Sequence, residues 1–332
     1  MNRAVVFAYH DVGVRCLKVL LAHGVDIGLV VTHQDNPAET IWFASVAQTA
    51  REHGIPVITP DDANDDATFA TVAACRPQWL FSFYFRQMLA TRLLALAPRG
   101  AWNMHGSLLP RYRGRVPVNW AVLHGETRTG ATLHEMQAKP DRGGIVAQQA
   151  VPILPDDTAG EVFAKVTVAA EMALDAWLPD LLAGRAVARE QDQRQASYFG
   201  GRKPEDGRID WTQPAARIHN LVRAVAPPYP GAFTEVPGAR IRVLRTLRQD
   251  CPTDADRAAP DQREAAQGRA APPEAPGLLI ADGHLLLRGA DGGLLRVLAA
   301  ELDGEPLGPE EFERRFGRSL CFPLTAERGS PS

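Results

Sequence analysis

The first half of the chain alternates short apolar runs with stretches whose apolar residues recur at helical spacing. The run AVVFAY, residues 4–9, is followed after HDVG by VRCLKVLLAHG, in which Leu17, Leu20 and Leu21 share one face. Comparable units follow up to residue 97, with the strand-like runs DIGLVVTH, PVITP and QWLFSFYF and a predicted helix over 88–97 after the last of them. Apolar strands alternating with amphipathic helices are typical of a parallel sheet covered on both faces. We therefore expect an α/β, Rossmann-like domain with its chemistry at the carboxyl ends of the strands.

The pattern changes near residue 200. A long helical pattern, 158–184, is followed by a polar stretch, then by a predicted helix near 213–225 and short strand-like runs broken by glycine and proline. Such runs are typical of a small β-barrel or sandwich. The predicted domains are a catalytic domain over 1–200, an OB-like β-barrel domain over 201–320 with a mobile Pro/Ala-rich insertion at 249–276, and a tail over 321–332.

Composition narrows the class of protein. With 332 residues, 45% of them apolar, the chain can bury the cores of two domains, and a net charge of -3 gives no global reason to expect a nucleic-acid partner. Its four scattered cysteines predict neither a disulfide framework nor a zinc site. Without a signal peptide or a membrane-spanning run, we expect a cytoplasmic protein with no membrane insertion. The turn YHDVGV lacks the G-x-G-x-x-G of a dinucleotide site.

The stretch AWNMHGSLLPRYRG, residues 101–114, carries the first candidate chemistry. Because side chains alternate along a strand, Asn103 and His105 point to the same side. An imidazole exchanges protons near neutral pH, and an amide donates to an oxygen that gains charge in a transition state. Together the two residues suit acyl transfer without a covalent enzyme intermediate. Taken alone, the same pair also fits a loop hydrogen bond.

A second segment, 129–153, contains two strand-like runs joined by QAKPDRGG. It places Asp141 in a loop, where a carboxylate near His105 would favour the protonated ring and make it a proton donor. In isolation, Asp141 reads more readily as an ordinary turn residue, and Arg115 reads equally well as an exposed loop arginine. The aromatic residues Trp42, Phe83, Tyr84 and Phe85 could stack on a heterocycle, although aromatic residues in strands more often belong to the core.

The combination N-x-H-x-S-L-L-P-x-Y-R-G, a Thr-Gly-x-T strand and D-x-G-G-I-V-A-Q closely resembles the folate-dependent formyltransferases. That family includes enzymes acting on glycinamide ribonucleotide, methionyl-tRNA and sugar nucleotides. The resemblance extends over residues 1 to about 248 and more loosely over the C-terminal strands. It implies that His105 is the proton donor, that Asn103 stabilises the transition state and that Asp141 supports His105.

The resemblance also implies a co-substrate, 10-formyltetrahydrofolate, and no metal. The positions it assigns to folate binding are Gln87, Met88, Leu89, Arg115, Gln137, Ala138, Lys139, Pro140 and Asp141. A pteridine ring presents amide-like edges that backbone groups can bind, so side-chain identity at 87–89 should matter little. Arg115 offers a planar fork for a carboxylate or a phosphate.

Stretches such as VTHQDNP, FSFYFRQML and VRAVAPPYPGAF are most similar to the branch that formylates UDP-4-amino-4-deoxy-L-arabinose in lipid A modification and polymyxin resistance. We therefore expect a nucleotide-linked amino sugar, UDP-linked in this branch, as acceptor. Formylation of methionyl-tRNA or of a dTDP-4-amino-deoxyhexose, and formyl-folate binding without turnover, stay open. The oligomeric state also stays open, as does whether the chain acts alone or as one domain of a bifunctional protein.

Overall fold

The computed structural model of the protein describes residues 2–36, 41–248 and 275–322. The chain divides into two compact units, the first comprising residues 1–121, 126–153 and 161–201 and the second residues 122–125, 154–160 and 202–332. All but two residues of the predicted insertion lie outside the described residues, as do residues 323–332 of the tail.

The first unit is built around a mixed seven-stranded sheet. In chain order the strands of this unit are β1 (Arg3–Ala8), β2 (Asp26–Val31), β3 (Val57–Ile58), β4 (Trp79–Phe83), β5 (Ala101–His105), β6 (Arg113–Gly114), β7 (Arg128–Glu135), β8 (Ile145–Pro152) and β9 (Tyr198–Phe199). The sheet has the order β3-β2-β1-β4-β5-β7-β8, and β6 pairs separately with β9. Strands β1 to β5 pair in parallel, whereas β7 is antiparallel to both β5 and β8. The expected α/β parallel-sheet architecture is confirmed.

Helices connect these strands. They are α1 (His10–Ala22), α2 (Val46–Glu52), α3 (Asp66–Ala74), α4 (Thr91–Leu94), α5 (Pro117–Leu123) and α6 (Ala159–Leu182). Two of them begin at polar caps that satisfy a free backbone N–H: Ser45 accepts from the Gln48 amide, and Asp65 accepts from the Thr68 amide.

Helices α1 and α4 differ from the pattern-based expectation. Helix α1 begins at His10, before Gly13, because the His10 ring accepts the Asp11 N–H at 3.0 Å and so partners one free amide of the first turn. The helix expected over 88–97 is reduced to the single turn of α4. Leu89 is buried in the core and the Ala90 N–H donates to Asn64, so this segment is held as a loop.

One core of the first unit lies where the strands pack against helices. It includes Val5, Phe7 and Leu29 from the sheet, together with Val72 and Leu93 from α3 and α4. Continuous burial along β1 and β4 is the consequence of covering both faces of a parallel sheet.

The second unit contains a curled antiparallel sheet. Its elements are α7 (Ala215–Ala224), β10 (Ala232–Val236), β11 (Ala239–Arg248), β12 (Gly277–Ala281), β13 (His284–Arg288), β14 (Leu294–Leu302), β15 (Glu305–Pro306), α8 (Pro309–Phe316) and β16 (Ser319–Cys321). The strand order is β10-β11-β14-β13-β12-β16, with β15 paired to β14. Helix α7 packs its apolar face, including Ile218 and Val222, on this sheet. The arrangement agrees with the expected barrel-like C-terminal domain.

Candidate active site

The candidate chemistry gathers at the end of β5. Asn103 and His105 lie on the same face of this strand, and antiparallel pairing with β7 sets His134 opposite Asn103 and Thr132 opposite His105. The loop between β7 and β8 returns Asp141 to the same place. The structure therefore brings together the three residues that the sequence singled out, and it adds His134.

The hydrogen bonds of His105 define which of its nitrogens can exchange a proton. Its side chain is buried, and Nε2 lies 2.7 Å from the carbonyl oxygen of Tyr112. A carbonyl can only accept, so Nε2 carries a hydrogen in either charge state of the ring. Nδ1 lies 3.6 Å from Oδ1 of Asp141. The proton that can be gained or lost is therefore the one on Nδ1, beside a carboxylate.

Asp141 is held as an ionised carboxylate. Burial alone would raise the pKa of this group, but the positive charge of a protonated His105 and the interactions with His134 lower it more. The N–H of Gly114 donates to Oδ2 at 2.8 Å and acts in the same direction. The resulting pKa of Asp141 lies well below its usual range. Its backbone has a φ of +54°, a left-handed conformation that aspartate tolerates better than most residues.

Gly114 reaches Asp141 because it is a glycine. Its φ is +94°, and a Cβ atom at this position would lie 2.2 Å from the carbonyl oxygen of Phe199. The pairing of β6 with β9 thus brings a backbone N–H to the carboxylate without a side chain in the way.

His134 connects Asn103 to Asp141. Its Nδ1 lies 2.8 Å from the carbonyl oxygen of Glu135 and therefore carries a hydrogen. Its Nε2 lies 3.0 Å from Nδ2 of Asn103 and 3.5 Å from Oδ1 of Asp141. When the ring is neutral, Nε2 accepts from the Asn103 amide; when the ring is charged, Nε2 can donate to Asp141. The neutral form fixes the direction of the Asn103 amide and leaves the second hydrogen of its NH2 group for another acceptor.

Tyr84 packs against the backbone just beyond His105. It follows β4 with a φ of +57°, and its hydroxyl would lie 1.8 Å from a Cβ atom added to Gly106. Its ring also contacts Phe163 of α6, with ring centroids 5.5 Å apart. Gly106 is therefore required by the close approach of Tyr84, and the backbone strain at Tyr84 is located at the candidate site.

The predicted folate-binding positions fall on two loops of the first unit. Met88 is 53% exposed, whereas Leu89 is buried in the core. The side chain of Gln87 is engaged in bracing the loop at 61–63, where it accepts from the Ala63 amide and donates to the Asp61 carbonyl. Within the described residues, the backbone N–H groups of Gln87, Met88 and Leu89 make no hydrogen bond. Their assignment to folate binding stays a prediction.

The other predicted positions lie near Asp141. Gln137, Ala138 and Lys139 are exposed, and Pro140 is half-buried. Arg115 has an exposed side chain, while its N–H donates to the carbonyl oxygen of Phe199. Of this group, Asp141 is the residue whose carboxylate lies beside the His105 ring, with 3.6 Å between Oδ1 and Nδ1.

Sequence reasoning missed two supporting residues, His134 and Gln191. The alternation of Thr132 and His134 on one side of the strand-like run GATLHE was a local signal for the first, because polar groups buried in a sheet need partners. Nothing local marked Gln191, which lies 50 positions beyond Asp141 and donates to the carbonyl oxygens of Asp141 and Gly143 at 2.8 and 2.7 Å.

Two protein-family profiles match the sequence and together identify the class of protein. Residues 14–177 match the formyl transferase profile, and residues 202–317 match the profile of the formyl transferase C-terminal domain. Together the two matches span most of the chain. The chain belongs to the formyl transferase family and is a formyltransferase, which confirms the family expected from the sequence motifs.

Known structures share the fold at low sequence identity. One is the N-formyltransferase from Helicobacter canadensis in complex with folinic acid and dTDP-3-aminofucose, with 17% identity, a TM-score of 0.66 and coverage of 90% of this chain and 98% of that chain. A second is WlaRD, a sugar 3N-formyl transferase studied with dTDP and 5-N-formyl-THF, with 17% identity, a TM-score of 0.65 and coverage of 89% and 97%. Methionyl-tRNA formyltransferase from Clostridium thermocellum has 17% identity, a TM-score of 0.53 and coverage of 75% and 94%. At this level of identity the similarity establishes the fold.

The part of the chain that the structure describes contains neither a metal-binding cluster nor a membrane-spanning helix. Across residues 2–36, 41–248 and 275–322, no group of three or more His, Cys, Asp or Glu side chains is arranged to hold a metal ion. In the same residues, no helix combines the length and the apolarity needed to cross a membrane.

Proposed function

We propose that this formyltransferase transfers the formyl group of 10-formyltetrahydrofolate to the 4-amino group of a nucleotide-linked amino sugar. The observation that carries the proposal is the cluster of Asn103, His105 and Asp141 at the end of β5 in a chain of the formyl transferase family. Catalysis is assigned to the predicted catalytic domain over 1–200.

The chemistry needs a nucleophile, a stabilised oxyanion and a proton. The folate derivative supplies an activated formyl group, whose carbonyl carbon the neutral amine of the acceptor attacks. Asn103 donates its second amide hydrogen to the oxygen that gains charge, and removal of such a donor from an acyl-transfer site costs roughly 10²–10³ in turnover. As the bond between the formyl carbon and N10 of the folate breaks, His105 donates its Nδ1 proton to the departing nitrogen, and the amine that has gained the formyl group releases one proton to water. Asp141 stabilises the charged ring at 3.6 Å.

Two loops, at 87–89 and 137–139, support the proposal that the chain binds a folate. The free backbone N–H groups at 87–89 can pair with the polar edge of a pteridine ring, and the exposed Met88 side chain offers apolar surface beside them. The exposed residues 137–139 lie on the loop that carries Asp141. A ligand bound to this loop would therefore lie close to the proposed proton donor.

The nucleotide sugar is favoured as acceptor over methionyl-tRNA. The chain carries a net charge of -3, whereas contacts to an RNA backbone rely on clustered lysine and arginine. The stretches named above most resemble the formyltransferase domain of the bifunctional polymyxin-resistance protein, which favours UDP-4-amino-4-deoxy-L-arabinose. A dTDP-linked amino sugar is the second candidate, because two of the structural relatives are described with dTDP or a dTDP-linked 3-amino sugar.

The test is a formyl-transfer assay with 10-formyltetrahydrofolate and separate acceptors. UDP-4-amino-4-deoxy-L-arabinose, dTDP-linked 3-amino- and 4-amino-deoxyhexoses and charged initiator tRNA would be compared by kcat/KM. The proposal expects the UDP-linked arabinose to exceed the other acceptors at least tenfold. If a dTDP-linked sugar is the best acceptor, formyl transfer to an amino sugar stands, but the proposed nucleotide and sugar ring are wrong. Turnover of tRNA alone would overturn the proposal, and so would failure to formylate any acceptor.

A further inference from the structure

A basic cleft borders the loop that carries Asp141. It has a volume of about 400 Å³ and is lined by Arg113, Lys139, Pro140, Arg142, Ala196, Ser197 and Tyr198. Clefts of about 300–1,000 Å³ are the size that binds small molecules. Three of the seven lining residues are cationic and none is acidic.

Among the residues that the structure describes, the most buried of these cations has no carboxylate for a partner. Arg113 is only 5% exposed, and its Nε and Nη2 both donate to Oε1 of Gln191, at 3.2 and 2.7 Å. Its Nη1 donates to Oε1 of Gln193, at 3.0 Å. These are neutral amide oxygens. Burial lowers the pKa of Arg113, and the charge of Arg142 lowers it further, with Asp141 acting in the opposite direction.

Arg142 approaches the same amide. Its Nη2 donates to Oε1 of Gln193 at 3.0 Å, so two guanidinium groups share one neutral acceptor. Like charges held this close repel each other, and a buried charge without a counter-charge is costly. An anion in the cleft would reduce both costs, because guanidinium groups form their strongest hydrogen bonds with carboxylates and phosphates.

An aromatic ring lies beside the cations. Tyr198 is 61% exposed although it is a large aromatic residue in β9, and it lines the same cleft. An exposed ring next to cationic groups suits a ligand in which an anionic group lies near a flat ring.

We propose that this cleft binds an anionic group of a substrate, either the diphosphate of the nucleotide-linked acceptor or the glutamate carboxylates of the folate donor. The proposal rests on the proposed function for the identity of these substrates. The shared chemistry is an oxyanion, bound between Arg113, Lys139 and Arg142.

Hydrogen bonds made by Gln191 and Gly114 connect the cleft to Asp141, the proposed catalytic carboxylate. Gln191 accepts from Arg113 and donates to the carbonyl oxygen of Asp141 at 2.8 Å. The N–H of Gly114, next to Arg113, binds the Asp141 side chain. An anion that fixes Arg113 and Arg142 would therefore also restrain the loop that positions Asp141 beside His105. Part of the binding energy of a remote group would in this way be used to organise the reacting centre.

The experiment measures binding separately from turnover. Isothermal titration calorimetry of the full chain would use four probes: UDP, uridine, folinic acid and folinic acid bearing a triglutamate tail. Arg142→Gln removes one charge from the cleft, and Arg51→Gln removes the charge of an exposed arginine on α2 as the matched control. Circular dichroism and thermal melting would establish that both variants are folded.

We expect Arg142→Gln to weaken binding of one charged probe at least tenfold, while uridine and the control variant change less than twofold. Weakening confined to UDP assigns the cleft to the acceptor, and weakening that grows with the glutamate tail assigns it to the donor. If all four affinities in folded Arg142→Gln stay within twofold of the wild type, the proposal is overturned. The calorimetry measures binding and not turnover, so its outcome is independent of the formyl-transfer assay. Failure of every acceptor in that assay would refute the proposed function but would not decide whether the cleft binds an anion.

Discussion

Replacement of Asp141 by asparagine gives the sharpest test of the site. The substitution preserves size and an acceptor oxygen but removes the charge that lies 3.6 Å from Nδ1 of His105. With an effective dielectric constant of ~20, two unit charges at this separation attract by about 4–5 kcal/mol. Since about 1.4 kcal/mol corresponds to a tenfold change in rate, loss of this attraction lowers turnover on the order of 10³-fold. The reduction should appear in kcat more than in KM, because the attraction acts on the charged donor.

The pH dependence of stability supplies an independent readout for the same variant. The folded-state pKa of Asp141 lies below its ordinary value of ~3.9, so its ionised form stabilises the fold above about pH 4, and this contribution is lost as the pH falls further. Asp141→Asn should therefore lower the free energy of unfolding at pH 7 and flatten its decline in acid.

The assay combines steady-state kinetics between pH 6 and 9 with urea unfolding at pH 7 and at about pH 3, where the Asp141 contribution is being lost. Asp66→Asn is the matched control, since the Asp66 side chain is 95% exposed and pairs with Arg92 at the surface, where such pairs contribute about 0–1 kcal/mol. If folded Asp141→Asn retains turnover within tenfold of the wild type across this pH range, the proposed electrostatic role of Asp141 is wrong.

Three further predictions follow from the first unit. His105→Ala should leave the melting temperature within a few degrees of the wild type and reduce turnover by at least 10³-fold; activity within a few-fold of the wild type would exclude its role as proton donor. Gly106→Ala should cost roughly 1–3 kcal/mol in urea unfolding, because the new Cβ would lie 1.8 Å from the Tyr84 hydroxyl, and Gly106→Ala/Tyr84→Phe should recover part of that loss. If the double variant is no more stable than the single one, the clash lies elsewhere. Burial and the charge of Arg86 lower the pKa of His10 to about 3 and the pKa of His33 to about 4. A histidine in the unfolded chain has a pKa of ~6.5, so both residues take up a proton when the protein unfolds at acidic pH. The free energy of unfolding should therefore fall as the pH is lowered from 7 to 4, and it should fall less steeply in His33→Asn than in the wild type. Equal slopes in the two proteins would contradict the assignment of this pH dependence to His33.

Much of the fold could be predicted from local patterns. The buried runs of β1 and β4 and the amphipathic face of α7 are dictated by the period of apolar residues, which depends only on neighbours along the chain. Helix α8 was missed because its strongly charged segment PEEFERRF buries little more than Phe312 and Phe316. Strands β6 and β9 were missed because two-residue strands carry no period.

The sequence alone determined which residue types are present at the candidate site, and from them it predicted the chemistry. Alternation along β5 places Asn103 and His105 on one face whatever the rest of the fold, and the spacing of the flanking motifs was sufficient to identify the family. The residue types themselves, an amide, an imidazole and a carboxylate, define the possible proton and hydrogen-bond donors.

Only the tertiary structure decided how these groups are arranged and supported. His134 reaches Asn103 through the pairing of β7 with β5, and Gln191 reaches Asp141 across 50 residues of chain. The basic cleft likewise combines residues from 113 to 198. Such contacts depend on strand register and loop closure between distant segments, and these are fixed by burial of a shared core that no local pattern encodes.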